Sequence, residues 1–154
     1  MFCSTGRKEG FRINQFDLHS SLGFLLVNTA FQAKQNLTAM FQKEGFNATI
    51  DQFVVLGALV GKDGITQKEI CQICCKNDSN LARILKGMEA KSLIERKKGR
   101  DARSRNVYIS EKGQALYAAL APIAQGYMVH VLGHLSETER DMLVKILLDV
   151  RDKL

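Results

Sequence analysis

The sequence predicts a mainly α-helical domain with one small β-hairpin, and three observations in its 154 residues predict it. Apolar residues recur at steps of three and four through most of the chain, the period of a single helix face. Three S/T-x-x-E/Q boxes, pairing Thr49 with Gln52, Thr66 with Glu69 and Ser136 with Glu139, mark helix starts. Only between positions 93 and 110 does the pattern change, to two short β-type runs around a charged loop.

Taken in order, the first segment places Leu18, Leu22, Leu25, Thr29, Ala33, Leu37 and Met40 on one helical stripe, and Gly45 ends it. Phe24, Leu26, Phe31 and Phe41 lie off that stripe, so more than one side is apolar and a partner chain is expected to cover it. The box at Thr49 opens a helix whose expected buried face is Phe53, Leu56, Leu59 and Val60; Gly61 stops it and Lys62-Asp63-Gly64 turns the chain. The box at Thr66 opens a short helix with Ile70 and Ile73 inside. After the polar break Lys76-Asn77-Asp78, a further helix carries Leu81, Ile84, Leu85 and Met88. Two short helices across a tight polar turn form a helix-turn-helix pattern. Leu93–Arg96 and Asn106–Ser110 then read as the strands of a hairpin with a long tip. Ser110-x-x-Gly113 leads into a helix with Leu116, Leu120, Ile123 and Ala124, where Pro122 is expected to kink it. The last helix follows Ser136, with Met142, Leu143, Ile146, Leu147 and Val150 expected to face inward.

A helix-turn-helix followed by a hairpin is a winged helix, and the charge falls on it. The whole chain is +6 at neutral pH. Positions 62–105 hold twelve basic and six acidic residues, so this segment carries the entire excess. Positions 96–105 alone hold six basic residues and one acid. Such segregation points to a polyanion-binding lobe in a neutral frame. With the apolar stripe of the second short helix turned to the core, Ser79, Asn80, Arg83 and Lys86 point away from it. These residue types read base edges and hold phosphates, and Gly87 on the same side allows close approach. Thr66 and Gln67 at a helix N-terminus suit phosphate anchoring. Lys98, Arg100, Arg103 and Arg105 suit a narrow minor groove, and Asp101 can hold a neighbouring Arg in one rotamer or simply start the turn.

The run Thr66-Gln67-x-Glu69-Ile70 … Asn80-Leu81-x-Arg83-x-Leu85 … Met88-Glu89-x-Lys91-x-Leu93-Ile94-x-Arg96 … Asp101-Ala102-Arg103 … Ile109-Ser110-x-x-Gly113 resembles the MarR (multiple-antibiotic-resistance regulator) family. The likeness covers about 48 residues closely, and the order of helices covers nearly the whole chain. It implies an obligate homodimer on a palindromic operator, held by terminal helices at 12–45 and 111–154, with a DNA-binding lobe at 49–110 in one domain, 1–154. It also implies that Asp101 and Arg103 are the wing pair, with Arg103 in the minor groove. Ser92 stands where the family usually has Gly. The expectation is a cytoplasmic transcriptional regulator, a repressor released by a small-molecule effector whose pocket lies between the dimer helices and the DNA-binding lobe.

Other readings are weighed against this one. Cys71, Cys74 and Cys75 form a cluster, and Cys3 precedes the first helix. Core packing suits Cys71 and Cys74, while a redox protein or thiol-sensing regulator is the rival they support. No second Cys/His pair stands at zinc-finger spacing, and positions 71 and 75 on one helix are too far apart for a good disulfide. His130 and His134 share a helix face, but only His19 could join them through folding, so no metal or other cofactor is expected. An interaction module binding protein or RNA is a third reading. There is no Gly-rich nucleotide loop, Ser/His/Asp pattern or paired carboxylate to suggest an enzyme. The first eight residues lack an apolar h-region, and no run of about 18 apolar residues is present, so neither a secretory signal nor a membrane span is expected.

Overall fold

The computed structural model describes residues 18, 20–98 and 105–153. The chain forms two compact units, 1–35 and 36–154. The first contains the start of α1 (Leu22–Lys43), whose Leu22, Leu25, Leu26, Val27 and Phe31 are exposed.

The second unit continues α1 and adds α2 (Ile50–Gly61), β1 (Ile65–Thr66), α3 (Gln67–Cys74), α4 (Asp78–Ala90), β2 (Ile94–Lys98), β3 (Arg105–Ile109), α5 (Glu111–Leu132) and α6 (Glu137–Arg151). The expected helix order and the hairpin are both present. All three predicted capping boxes form, each with the side chain of one partner on the backbone N–H of the other. One strand was not foreseen. Ile65 and Thr66 pair antiparallel with Val107 and Asn106, giving a three-stranded sheet of order β1-β3-β2. In the hairpin, Ile94 opposes Ile109 and Lys98 opposes Arg105.

One core gathers Val55, Leu56 and Leu59 of α2, Ile70 of α3, Leu81, Leu85 and Met88 of α4, and Ile65, Ile94, Val107 and Ile109 of the sheet. A buried aliphatic side chain contributes about 1.5–3 kcal/mol, so this cluster holds the helix-turn-helix and the hairpin as one body. At its edge Phe41 is fully buried, 5.6 Å between centroids from Phe53, which stacks on Tyr117 of α5 at 5.2 Å. Phe41 lies off the apolar stripe predicted for α1, yet with Leu37 it is what α1 buries. Gly113 is needed because a Cβ there would run into the carbonyl of Leu93, so the first turn of α5 lies directly on the strand entry.

Several predicted inward residues do not face inward within the chain. Val60 and Ile73 are 50% and 53% exposed, because the other sides of α2 and α3 meet the core. No residue of α6 is buried: Met142, Ile146, Leu147 and Val150 are exposed and Leu143 is half-buried. On α5, Leu120 is buried, and Leu116, Ile123 and Ala124 are half-buried. The helix is unbroken through Pro122. By length and composition α5 could also cross a membrane, contrary to the expectation that no segment could. Its polar residues interrupt any continuous apolar run without lowering the average enough. A single helix of this kind is weak evidence for a span.

Candidate nucleic-acid interface

The N-terminus of α4 is organised by Asn77. Its Oδ1 accepts the backbone N–H of Asn80 at 2.9 Å and the hydroxyl of Ser79 at 3.1 Å. Arg83 Nη2 in turn donates to Asn80 Oδ1 at 3.3 Å. Ser79, Arg83 and Lys86 are exposed and Asn80 half-buried, all on the side away from Leu81, Leu85 and Met88, as the helical spacing predicts. A Cβ at Gly87 would meet nothing within 4 Å, so this face is open. The sequence shows 76–78 only as a polar break; the N-cap preference of Asn is the signal that marks Asn77 as the organiser.

α3 is set against α4 by the turn between them. Gln67 Nε2 donates to the carbonyl of Asp78 at 3.4 Å. Lys76 Nζ lies 2.8 Å from Asp51 Oδ1, tying the turn to the start of α2 in a largely buried ion pair. Thr66 is committed inward: Glu69 Oε2 accepts from its backbone N–H at 2.8 Å and from its hydroxyl at 2.9 Å, and its hydroxyl oxygen accepts from Glu69 N. Lys62 Nζ adds a contact of 3.1 Å. These bonds, Thr66's backbone N–H first, lower the Glu69 pKa to about 2. Free backbone donors for a phosphate at this helix start are therefore those of Gln67 and Lys68 rather than that of Thr66.

The helix-to-hairpin turn shows how Ser92 replaces glycine. Ser92 adopts φ +57, its N–H reaches Glu89 O at 2.9 Å, and Leu93 N–H reaches Met88 O at 2.9 Å. That is a Schellman closure with a left-handed residue in the position glycine favours. Beyond it, Arg96 Nε lies 3.5 Å from Glu89 Oε2, an ion pair between β2 and the end of α4. Lys91 Nζ donates to Asn47 O at 2.7 Å, bonding that end of α4 to the loop after α1. Neither tie was foreseen, since both join residues whose proximity depends on the fold.

On the hairpin, Arg105 is exposed at the start of β3 and Lys98 ends β2 opposite it. Arg100, Asp101 and Arg103 lie outside the described residues, as do Cys3 and His19. Cys71 and Cys74 pack against the core and Cys75 is exposed, all three as free thiols. Burial pushes both the Cys71 and Cys74 thiols up, and Cys71 also donates to Asp78 Oδ1 at 3.3 Å. A raised pKa disfavours the thiolate that redox chemistry uses. His130 and His134 are exposed, and among the described residues no three of His, Cys, Asp and Glu gather to hold a metal ion.

This arrangement matches known proteins. The model of the MarR family matches residues 45–104, from the loop before α2 through the helix-turn-helix to the first strand of the hairpin, ending just ahead of β3. Transcriptional regulator HosA of Escherichia coli O157:H7 is 32% identical over 126 residues, covering 79% of this chain and 93% of HosA. Among solved structures, the transcriptional repressor CouR bound to a 23-mer DNA duplex superposes with a TM-score of 0.79 at 22% identity, over 91% of this chain and 99% of that one. BpsR of Bordetella bronchiseptica, solved for the regulation of its DNA binding by 6-hydroxynicotinic acid, has a TM-score of 0.69 at 22% identity, over 82% and 98%. A mostly helical chain with a three-stranded wing sheet and this degree of likeness belongs to the MarR family of DNA-binding transcriptional regulators, which are not enzymes.

Proposed function

We propose that this regulator is a cytoplasmic homodimeric repressor that binds a palindromic operator and is released by a small-molecule effector. The observation that carries DNA recognition is the open face of α4, where Ser79, Arg83 and Lys86 are exposed beside a hairpin rich in Lys and Arg. In this reading Ser79, Asn80, Arg83 and Lys86 enter the major groove, and the start of α3 at Thr66 and Gln67 lies on the flanking backbone, with Gln67 facing the phosphate and Thr66, bonded to Glu69, fixing the turn. Lys98, Arg100, Asp101, Arg103 and Arg105 form the wing, with Arg103 in the minor groove.

Dimerisation is supported by the apolar surface that the single chain leaves uncovered. On α6 Met142, Val144, Ile146, Leu147, Leu148 and Val150 are exposed, and on α5 Met128, Val129 and Val131. Segments 12–45 and 111–154 are the proposed dimer frame and 49–110 the reading lobe, within one domain. The frame would hold two copies of α4 about 34 Å apart, one helical turn of DNA. An effector bound between frame and lobe then favours a spacing that fits DNA less well. CouR was solved on DNA and BpsR with a regulating small molecule in view, which supports both halves of this reading.

The test combines two measurements. Sedimentation gives the oligomeric state, and duplexes selected from a random pool are titrated at rising salt. A dimer whose affinity falls steeply with salt, and which enriches a two-fold symmetric sequence, is expected. A stable monomer, or binding indifferent to sequence, would overturn the proposal.

A further inference from the structure

We infer that Asn106 is a positioning residue of the wing, clamped by the Asp63-Gly64 turn that separates α2 from β1. This rests on the reading of the hairpin as a DNA-binding wing. Three groups of β3, two side chains and one backbone N–H, engage that one turn. Asn106 Nδ2 donates to Gly64 O at 2.9 Å. The Tyr108 ring lies against Gly64 so closely that a Cβ there would stand 2.7 Å from it, and Gly64 has φ +71. The backbone N–H of Ile109 donates to Asp63 Oδ1 at 2.8 Å. Across the hairpin Lys97, paired with Asn106, holds its Nζ 5.1 Å from the centre of the Tyr108 ring.

The position of these contacts gives them their consequence. Val107 and Ile109 are already fixed in the core, so the inner part of β3 needs no further anchor. Among the described residues, Asn106 is the outermost point at which a hydrogen bond from outside the hairpin reaches β3. The next rung, Lys98 with Arg105, opens the basic tip. The same turn closes α2, through Lys62 N–H on Ala58 O, and is joined to α3 by Lys62 and Glu69. One turn therefore sets the start of the helix-turn-helix and the angle at which the wing leaves the sheet. Loss of the Asn106 side-chain bond leaves this end of β3 to the β1 pairing at Thr66 and so loosens the outer rung without opening the core.

Asn106→Ala, and the isosteric Asn106→Asp that cannot donate, are compared with wild type on a duplex that the wild-type protein selects from a random pool. Each is expected to bind about fivefold more weakly while melting no more than about 4 °C lower. Hydroxyl-radical footprints should lose protection of the flanking minor groove and keep that of the central major groove. In an Arg103→Ala background, Asn106→Ala should add no further loss. Retained flanking protection, or losses that add to those of Arg103→Ala, overturns the clamp alone. An Arg103→Ala protein that binds like wild type overturns the wing reading and the clamp with it.

Discussion

Replacing Ser92 by glycine should stabilise the protein, and the magnitude follows from a single dihedral angle. Ser92 sits at φ +57, where a Cβ costs about 1–2 kcal/mol. Glycine relieves that cost but brings extra freedom to the unfolded chain, which takes back about 0.5–1 kcal/mol. The remaining gain is about 0.5–1 kcal/mol, or about 2 °C in melting temperature for a chain of this length. Nothing else is lost. The side chain is exposed, and the bond from Ser110 Oγ at 2.8 Å goes to the Ser92 carbonyl, which glycine retains. Thermal and urea unfolding at one fixed protein concentration give the assay, since association would shift the midpoint by mass action. DNA affinity should stay unchanged, because the Schellman closure is preserved. A melting temperature equal to or below that of wild type would refute the reasoning.

Two further outcomes are expected. Gly64→Ala should destabilise by about 2–4 kcal/mol, from the left-handed φ together with the collision with Tyr108, and a denaturant midpoint near that of wild type would contradict this. Glu69, with its folded pKa held near 2 against an ordinary 4.5, contributes stability that is fully present above about pH 4.5 and is lost as pH falls toward 2. Denaturant midpoints of Glu69→Gln measured across that window should fall less steeply with pH than those of wild type; parallel curves would show that the carboxylate is not the titrating group.

What could be read from the sequence was whatever is decided locally. The capping boxes at Thr49, Thr66 and Ser136 span three residues each, so residue type and spacing suffice to place them. The open face of α4 followed from its apolar stripe in the same way. Burial was less legible, because periodicity shows that a face is apolar and not what covers it. Hence Val60, Ile73, Met142, Ile146, Leu147 and Val150 were expected inside and stand exposed, while Phe41 was set apart from the stripe and is fully buried. Strand β1 has only two residues and exists because β3 is there to pair with it. Asn106 and Asp63 reach partners more than forty positions away in the chain, a distance at which no spacing rule operates.

The two ends of α4 carry a consequence for how any signal could pass through this protein. Asn77 closes its first turn and the Schellman pair at Ser92 and Leu93 closes its last, both with bonds that stay within a few residues of the helix. Frayed ends would absorb a displacement by unwinding; ends sealed in this way cannot do so cheaply. A push arriving from the α1–α2 loop through Asn47 and Lys91 must therefore move α4 as a rigid lever. Ser79, Asn80, Arg83 and Lys86 would then shift together, keeping their mutual spacing, so the face proposed to read DNA would be carried into or out of register with its target as a unit.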